Sequence, residues 1–328
     1  MKVLIITHSN DNESVDLVTE SLSSRGVTTL RLDSDYYPNG VRFSSWQDRT
    51  GRRVFIGTGD GEMELSDLHA VWYRRFHAGS QLPREQLGDT YEACIRESQM
   101  TLWGHIRALE CFQLDPLACV RKADYKEVQA REAARLGIRC PATLVSNDPN
   151  AVRAFMEQVR APVITKMQSQ FAIYRGDEEN VVFTNRVDPE NLSTLDGLCY
   201  SPMIFQEMVP KSLELRVTVV GNQVFAASID SQQCEETEVD WRRQGNQLAP
   251  AWQPFDFPKT EAKKLLQLAT WFGLNYAATD YILTPEGDLV FLELNAAGEW
   301  LWLQLYADQD VASAMAEVLV NPKARRVG

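Results

Sequence analysis

The sequence predicts a mixed α/β chain of the α+β kind, with an open parallel layer at the N-terminus and antiparallel hairpins toward the C-terminus. Three stretches carry this expectation. Lys2–Thr7 (KVLIIT) is a continuous apolar run, followed by a helical segment from about Ser14 to Arg25 and a second strand, Thr28–Leu32. That β-loop-α-β order opens a sheet whose ligands lie at the carboxyl ends of its strands. Gly221-Asn222 joins two strand-like runs, Leu213–Val220 and Gln223–Ile229, as a two-residue hairpin turn. A second hairpin is written by Asp280–Thr284 and Leu289–Asn295, which flank Pro285-Glu286-Gly287-Asp288.

Composition narrows the class. At 328 residues the chain is long enough for two or three domains with substantial cores. Its 44% hydrophobic and 24% charged residues are ordinary globular values. The net charge of −12 argues against a nucleic-acid partner, although a local lysine and arginine cluster can still receive a small anion. The cysteines are scattered without a CxxC pair, and the chain opens on a strand-length run rather than a signal peptide. No apolar stretch reaches the roughly 20 residues needed to cross a bilayer. A cytoplasmic protein with reduced thiols and no membrane partner is expected. Four dispersed histidines do not make a zinc site.

In chain order, the second strand ends in the acidic turn Asp33–Asp35, and no GxGxxG follows. Val54–Ile56 and Met63–Leu65 read as antiparallel strands, and Ala70–Phe76 as a strand ending in Arg74 and Arg75. Those arginines suit either an anionic substrate or the solvent. Gln86 to about Cys111 has helical period, and Asp115-Pro116 opens a linker. Residues 121–138 form one strongly helical, charged run stopped by Gly137. A strand at Ala142–Val145, a helix at Asn150–Val159 and a strand at Pro162–Lys166 follow. Met167 to Asn180 reads as a flap, with Val181–Thr184 returning as a strand. A third section begins near Met203; Ser231 to Pro258 is a long loop, Thr260–Phe272 an amphipathic helix and Val311–Val320 a last helix. The expected division is 1–120, 121–205 and 206–328.

The second hairpin is where chemistry concentrates. Centring its turn between Glu286 and Gly287 sets Asp280 opposite Glu293, with Asn295 on the same face. The same register puts Ile282, Leu289 and Phe291 on that face, and Tyr281, Leu283, Val290, Leu292 and Leu294 on the other. Two carboxylates and an amide oxygen suit magnesium, which is commonly held with the help of substrate phosphates. A carboxylate pair satisfied by a nearby arginine is the other reading. In Leu213–Val220, Glu214, Arg216 and Thr218 share one face, and Arg216 falls opposite the small Ala227. This pair reads as phosphate and ribose recognition or as a surface ion pair.

Taken in order, these residues resemble the ATP-grasp ligases. The more specific resemblance rests on Asp11-Asn12-Glu13, Val71-Trp72-Tyr73-Arg74-Arg75, Lys166 through Tyr174, Leu213-Glu214-Leu215-Arg216, Asp240-Trp241-Arg242 and Asn295-x-x-Gly298-Glu299-Trp300. These are similar to the microviridin-type (graspetide) peptide-cyclising ligases, essentially from end to end. The resemblance implies an ATP-grasp fold of three domains, the first an open α/β pre-ATP-grasp domain. It implies ATP and Mg²⁺, with Lys126 and Lys166 on the phosphates and Gln206, Glu207, Met208 and Val209 around the adenine. Glu214 would bind ribose, and Asp280, Glu293 and Asn295 the metal. Arg216, with Lys166, would serve the transferring phosphoryl group. The partner would be a ribosomally made precursor peptide with a leader, contacted through Glu190, Asn191, Asp240, Arg242 and Arg74. A homodimer is left open.

The implied reaction activates a peptide Asp or Glu as an acyl-phosphate, which a Thr or Ser hydroxyl attacks to give an ester (lactone). The flap Ser169 through Tyr174 resembles the ester-forming branch. An amide-forming ligase of the same family and a non-catalytic ATP-sensing module are the alternatives.

Overall fold

The computed structural model describes all of the chain except residues 59–60, 66, 169–171, 176–177, 182–183, 188–194 and 234–248. Its N-terminal part runs β1 (Lys2–Thr7), α1 (Glu13–Ser24), β2 (Thr28–Asp33), β3 (Arg42–Asp48), β4 (Gly51–Thr58), β5 (Gly61–Glu64) and β6 (Leu68–Tyr73). Helices α2 (Arg84–Leu87) and α3 (Tyr91–Arg107) lead to β7 (Phe112–Leu114). A parallel sheet of order β2-β1-β6-β7 forms the layer. Val3 to Ile6 are at most 1% exposed, as a strand covered on both faces requires. Strands β3, β4 and β5 make a separate antiparallel sheet whose Phe43, Val54 and Ile56 pack on Leu4, Ile6 and Val71. Strand β3 is not apparent in the sequence because Phe43 is its only buried residue.

The run 121–138 is two helices rather than one, α4 (Leu117–Ala123) and α5 (Lys126–Arg135). Tyr125 takes an extended conformation (φ −78°, ψ 103°) that ends one and starts the other. Beyond them come β8 (Thr143–Ser146), α6 (Pro149–Val159) and β9 (Val163–Lys166). The Asp148 side chain accepts from the Asn150 N–H at 2.8 Å and so starts α6. The expected flap is a hairpin of β10 (Ala172–Arg175) and β11 (Glu178–Val181), with Ala172 opposite Val181. Strands β12 (Asn185–Arg186) and β13 (Met203–Glu207) complete an antiparallel sheet, β12-β9-β13-β8. Strand β13 passes through 205/206, so the division expected there falls inside this sheet.

The last sheet, β16-β15-β14-β17-β18, is antiparallel throughout. It is built from β14 (Leu213–Val220), β15 (Gln223–Ile229), β16 (Gln253–Pro254), β17 (Tyr276–Leu283) and β18 (Leu289–Asn295). Helix α7 (Lys259–Phe272), closed by Gly273 at φ 77°, covers the face that carries Leu215, Val217 and Tyr281. The opposite face, with Val220, Ala227 and Ala278, meets α8 (Leu301–Tyr306) and α9 (Val311–Val320) in a core that continues into β1 and α1. Among the described residues no helix is long and apolar enough to cross a membrane.

Candidate active site

Sheet register lines up four side chains in one row. Arg216 on β14 lies between Ala227 on β15 and Asp280 on β17, and Asp280 lies opposite Glu293 on β18. Ala227 gives the guanidinium room, as expected. The next row on the same face sets Ala278 opposite Asn295.

The Asp280–Glu293 pairing arises differently from the sequence argument. Near the turn the register is Leu283 with Leu289, Ile282 with Val290 and Tyr281 with Phe291; it shifts between Asp280 and Tyr281. Leu292 is therefore the extra residue of a β-bulge, which reverses the alternation of faces. Phe291, expected beside Glu293, instead faces away and stacks edge-on with Tyr281 at 5.4 Å. Leu289 moves with it to that face and Val290 to the other. The bulge restores the pairing that a simple count from the turn had predicted.

Three cationic groups meet the acidic row. Lys126, at the start of α5, places Nζ 3.0 Å from Glu293 Oε2 and donates to Asn295 Oδ1 at 3.4 Å. The Asn295 amide donates to Glu293 Oε1 at 3.1 Å. Burial works to raise the Glu293 carboxyl, but the ammoniums of Lys126 and Lys166 and the Asn295 hydrogen bond hold it well below the usual carboxylate range. Lys166, at the end of β9, thus acts on Glu293 through its charge from the second sheet. Arg216 Nη1 is 3.3 Å from Asp280 Oδ1, and the guanidinium lies 5.1 Å from the Trp302 ring centroid. Its Nε is buried with no hydrogen-bond partner among the described residues, and Nη1 has only the Asp280 ion pair. Buried donors of this kind call for an anionic acceptor.

The remaining expected nucleotide residues flank this row. Glu214 Oε1 accepts from Lys211 Nζ and from Ser231 Oγ, both at 2.6 Å. Gln206 is buried and donates to Thr143 Oγ1 at 2.9 Å. In the hinge, Glu207 N–H bonds Ala142 O at 2.9 Å and Met208 N–H bonds Pro162 O at 2.8 Å. Among the described residues no backbone acceptor meets the Val209 N–H.

Arg74, expected at the substrate, is an internal clamp. Its side chain is 2% exposed, with Nε 3.5 Å from Asp11 Oδ2 and Nη2 on Glu299 Oε2. Nη1 donates to Ala297 O at 3.0 Å. Arg75 shares both carboxylates, at 3.6 Å from Asp11 and 2.9 Å from Glu299. The two arginines thereby tie the end of β6 to the loop after Asn295. Glu190, Asn191, Asp240 and Arg242 lie outside the described residues.

Two site-building residues escaped the sequence reading. Gln129 is 1% exposed and brackets Leu294, accepting from its N–H at 2.8 Å and donating to its C=O at 2.7 Å. Its position one helical turn beyond Lys126 was the only available signal. Asp115, assigned to a linker, is buried and accepts from Asn275 N, Asn275 Nδ2 and Tyr276 N at 2.8 to 3.1 Å.

Among the described residues no cluster of three or more His, Cys, Asp or Glu is arranged to hold a metal alone. Two carboxylates and an amide with an ammonium already against them fit a hard cation completed by phosphate oxygens.

Residues 2–121 match the family profile of the MvdD pre-ATP grasp domain, and residues 123–319 that of the RimK-like ATP-grasp domain. The chain is 43% identical to the macrocyclase MdnC of Microcystis aeruginosa MRC, crystallised with its precursor peptide MdnA. The alignment covers 98% of this chain and 100% of that one, with a TM-score of 0.89. A RiPP-associated ATP-grasp ligase of Chryseobacterium gregarium, in complex with ADP and a leader and core peptide, is 37% identical over 100% of this chain and 98% of its own, with a TM-score of 0.94. The Microcystis macrocyclase MdnB is 34% identical over 98% and 99%, with a TM-score of 0.81.

Proposed function

The chain belongs to the RiPP-associated ATP-grasp ligases, and we propose that it closes side-chain rings in a ribosomally made precursor peptide by forming ester bonds at the expense of ATP. The observation that carries this reading is the row Arg216–Asp280–Glu293 with Lys126 and Lys166 converging on it. A carboxylate resists attack near neutral pH, so an Asp or Glu of the peptide must first accept the γ-phosphoryl group of ATP. A Thr or Ser hydroxyl then attacks the acyl-phosphate, and inorganic phosphate leaves. The enzyme needs no nucleophile of its own. Catalysis reduces to holding the reactants in line and neutralising charge.

Each group has a part in this scheme. Lys126 and Lys166 bind the phosphates. Arg216, with an unsatisfied buried donor, meets the transferring phosphoryl group and the departing phosphate. Gln206 braces the hinge, Glu207 to Val209 receive the adenine, and Glu214 the ribose. Asp280, Glu293 and Asn295 would hold Mg²⁺, which when bound offsets negative charge on the phosphate oxygens. In that state Lys126 must turn from Glu293 toward phosphate. The β10–β11 hairpin would exclude water from the hydrolysable acyl-phosphate. Leader docking on the central section, with Glu190 and Asn191 as contacts, and core contacts by Asp240 and Arg242 complete the reading.

Incubation with ATP, Mg²⁺ and the precursor peptide tests it. Loss of one water per bond, reversed by mild alkali, is the expected result. An alkali-stable product would make the bond an amide, and an unchanged peptide would remove the activity.

A further inference from the structure

We infer that Gln129 is a positioning residue that fixes the spacing between the phosphate-binding lysine and the metal-holding strand. The inference rests on the reading of Glu293 and Asn295 as metal ligands. Strand β18 is the edge of its sheet, so its outer N–H and C=O groups have no strand partner. The Phe291 N–H at the bulge is taken by Arg139 O at 2.8 Å. Leu294, which stands between Glu293 and Asn295, has its N–H and C=O both taken by the one amide of Gln129. The amide thus does for Leu294 what a neighbouring strand would do. The same nitrogen also donates to Ala123 O at 2.5 Å, across the break between α4 and α5.

The consequence is geometric. Lys126 and Gln129 are one turn apart on α5 and face the same edge. Lys126 addresses Glu293 and Asn295, while Gln129 grips the peptide between them. Helix and ligand strand are therefore locked in register by a side chain that touches neither metal nor nucleotide. Only an amide meets the demand, because it accepts with one atom and donates with the other. A glutamate keeps the acceptance but offers at most one donor, and only when protonated, to two carbonyl oxygens. A methionine keeps the volume and satisfies nothing.

The test measures Mn²⁺ binding to the full chain in the presence of ADP, by the electron-spin resonance of free Mn²⁺. Gln129→Met and Gln129→Glu should each weaken Mn²⁺ binding by about tenfold, the usual loss when a group orienting metal ligands is removed. Ala133→Gly destabilises α5 but keeps the Gln129 amide, and should lower the melting temperature with Mn²⁺ affinity within about twofold of the parent. If Gln129→Met does not fold, Gln129→Glu carries the test. Unchanged Mn²⁺ affinity in the Gln129 variants, with affinity lost in Asn295→Ala, would overturn the positioning role and leave the site reading intact. Unchanged affinity in both Asn295→Ala and Glu293→Gln would overturn both.

Discussion

At the scale of single residues, the proposed work is divided between Glu293, which would hold a cation, and Arg216, which would receive an anion. Glu293→Gln keeps size and one acceptor oxygen but removes the charge that Lys126 faces at 3.0 Å. Cyclisation followed by mass spectrometry should fall below detection while the melting curve stays cooperative. Arg216→Lys loses the planar fork and should slow turnover by about 10²–10³, the typical effect of removing one charge-stabilising donor. Asp115 gives a pH signature. Burial pushes its carboxyl from the ordinary 3.8 up to about 7, although the N–H groups of Tyr276 and Asn275 favour the charged form. The folded chain therefore holds a proton that the unfolded chain releases, so this contribution is full below 3.8 and is lost as pH rises through about 7. Thermal melts of the parent, minus those of Asp115→Asn, should decline across that window. A flat difference would place the folded pKa near its ordinary value.

At the scale of elements, the hairpins were legible because turn chemistry and alternation are local. Gly221-Asn222 specified β14 and β15 to the residue. The β17–β18 pairing was legible at Asp280 and Glu293 but not its faces, since nothing local marks Leu292 as a bulge. Its cause is tertiary: Arg139 O takes the Phe291 N–H and Gln129 takes Leu294. The α4–α5 break was equally hidden, because every residue from Arg121 to Ile138 tolerates a helix except Gly137. The loop after Asn295 is tight by necessity. A Cβ on Gly298 would lie 2.7 Å from Ala278 Cβ and 3.0 Å from Asn295 Cβ. Gly298→Ala should cost about 1–3 kcal/mol in urea unfolding, the usual overpacking penalty, and should also weaken nucleotide-dependent Mn²⁺ binding by moving Asn295. Unchanged values of both would mean the loop yields freely.

At the scale of the whole molecule, the N-terminal layer is part of the site's frame. Arg74 and Arg75 at the end of β6 grip Asp11 and Glu299, and Arg74 also holds Ala297 O just beyond the ligand strand. The sequence marked these arginines but not their partners, which come from opposite ends of the chain. Arg74→Gln leaves the buried Asp11 and the partly buried Glu299 with Arg75 as their cation, and should cost about 3 kcal/mol in urea unfolding, the lower part of the range for breaking a buried pair. The large core that joins β1 and α1 to α9 makes the same link by apolar packing. The layer, the lysine-bearing helix and the acidic hairpin together frame the row of Arg216, Asp280 and Glu293. The most direct measurement uses precursor peptide with its Asp and Glu carboxylates labelled with ¹⁸O. Activation through an acyl-phosphate delivers one labelled oxygen to inorganic phosphate for every ring closed. Rings that form while the phosphate stays unlabelled would contradict it.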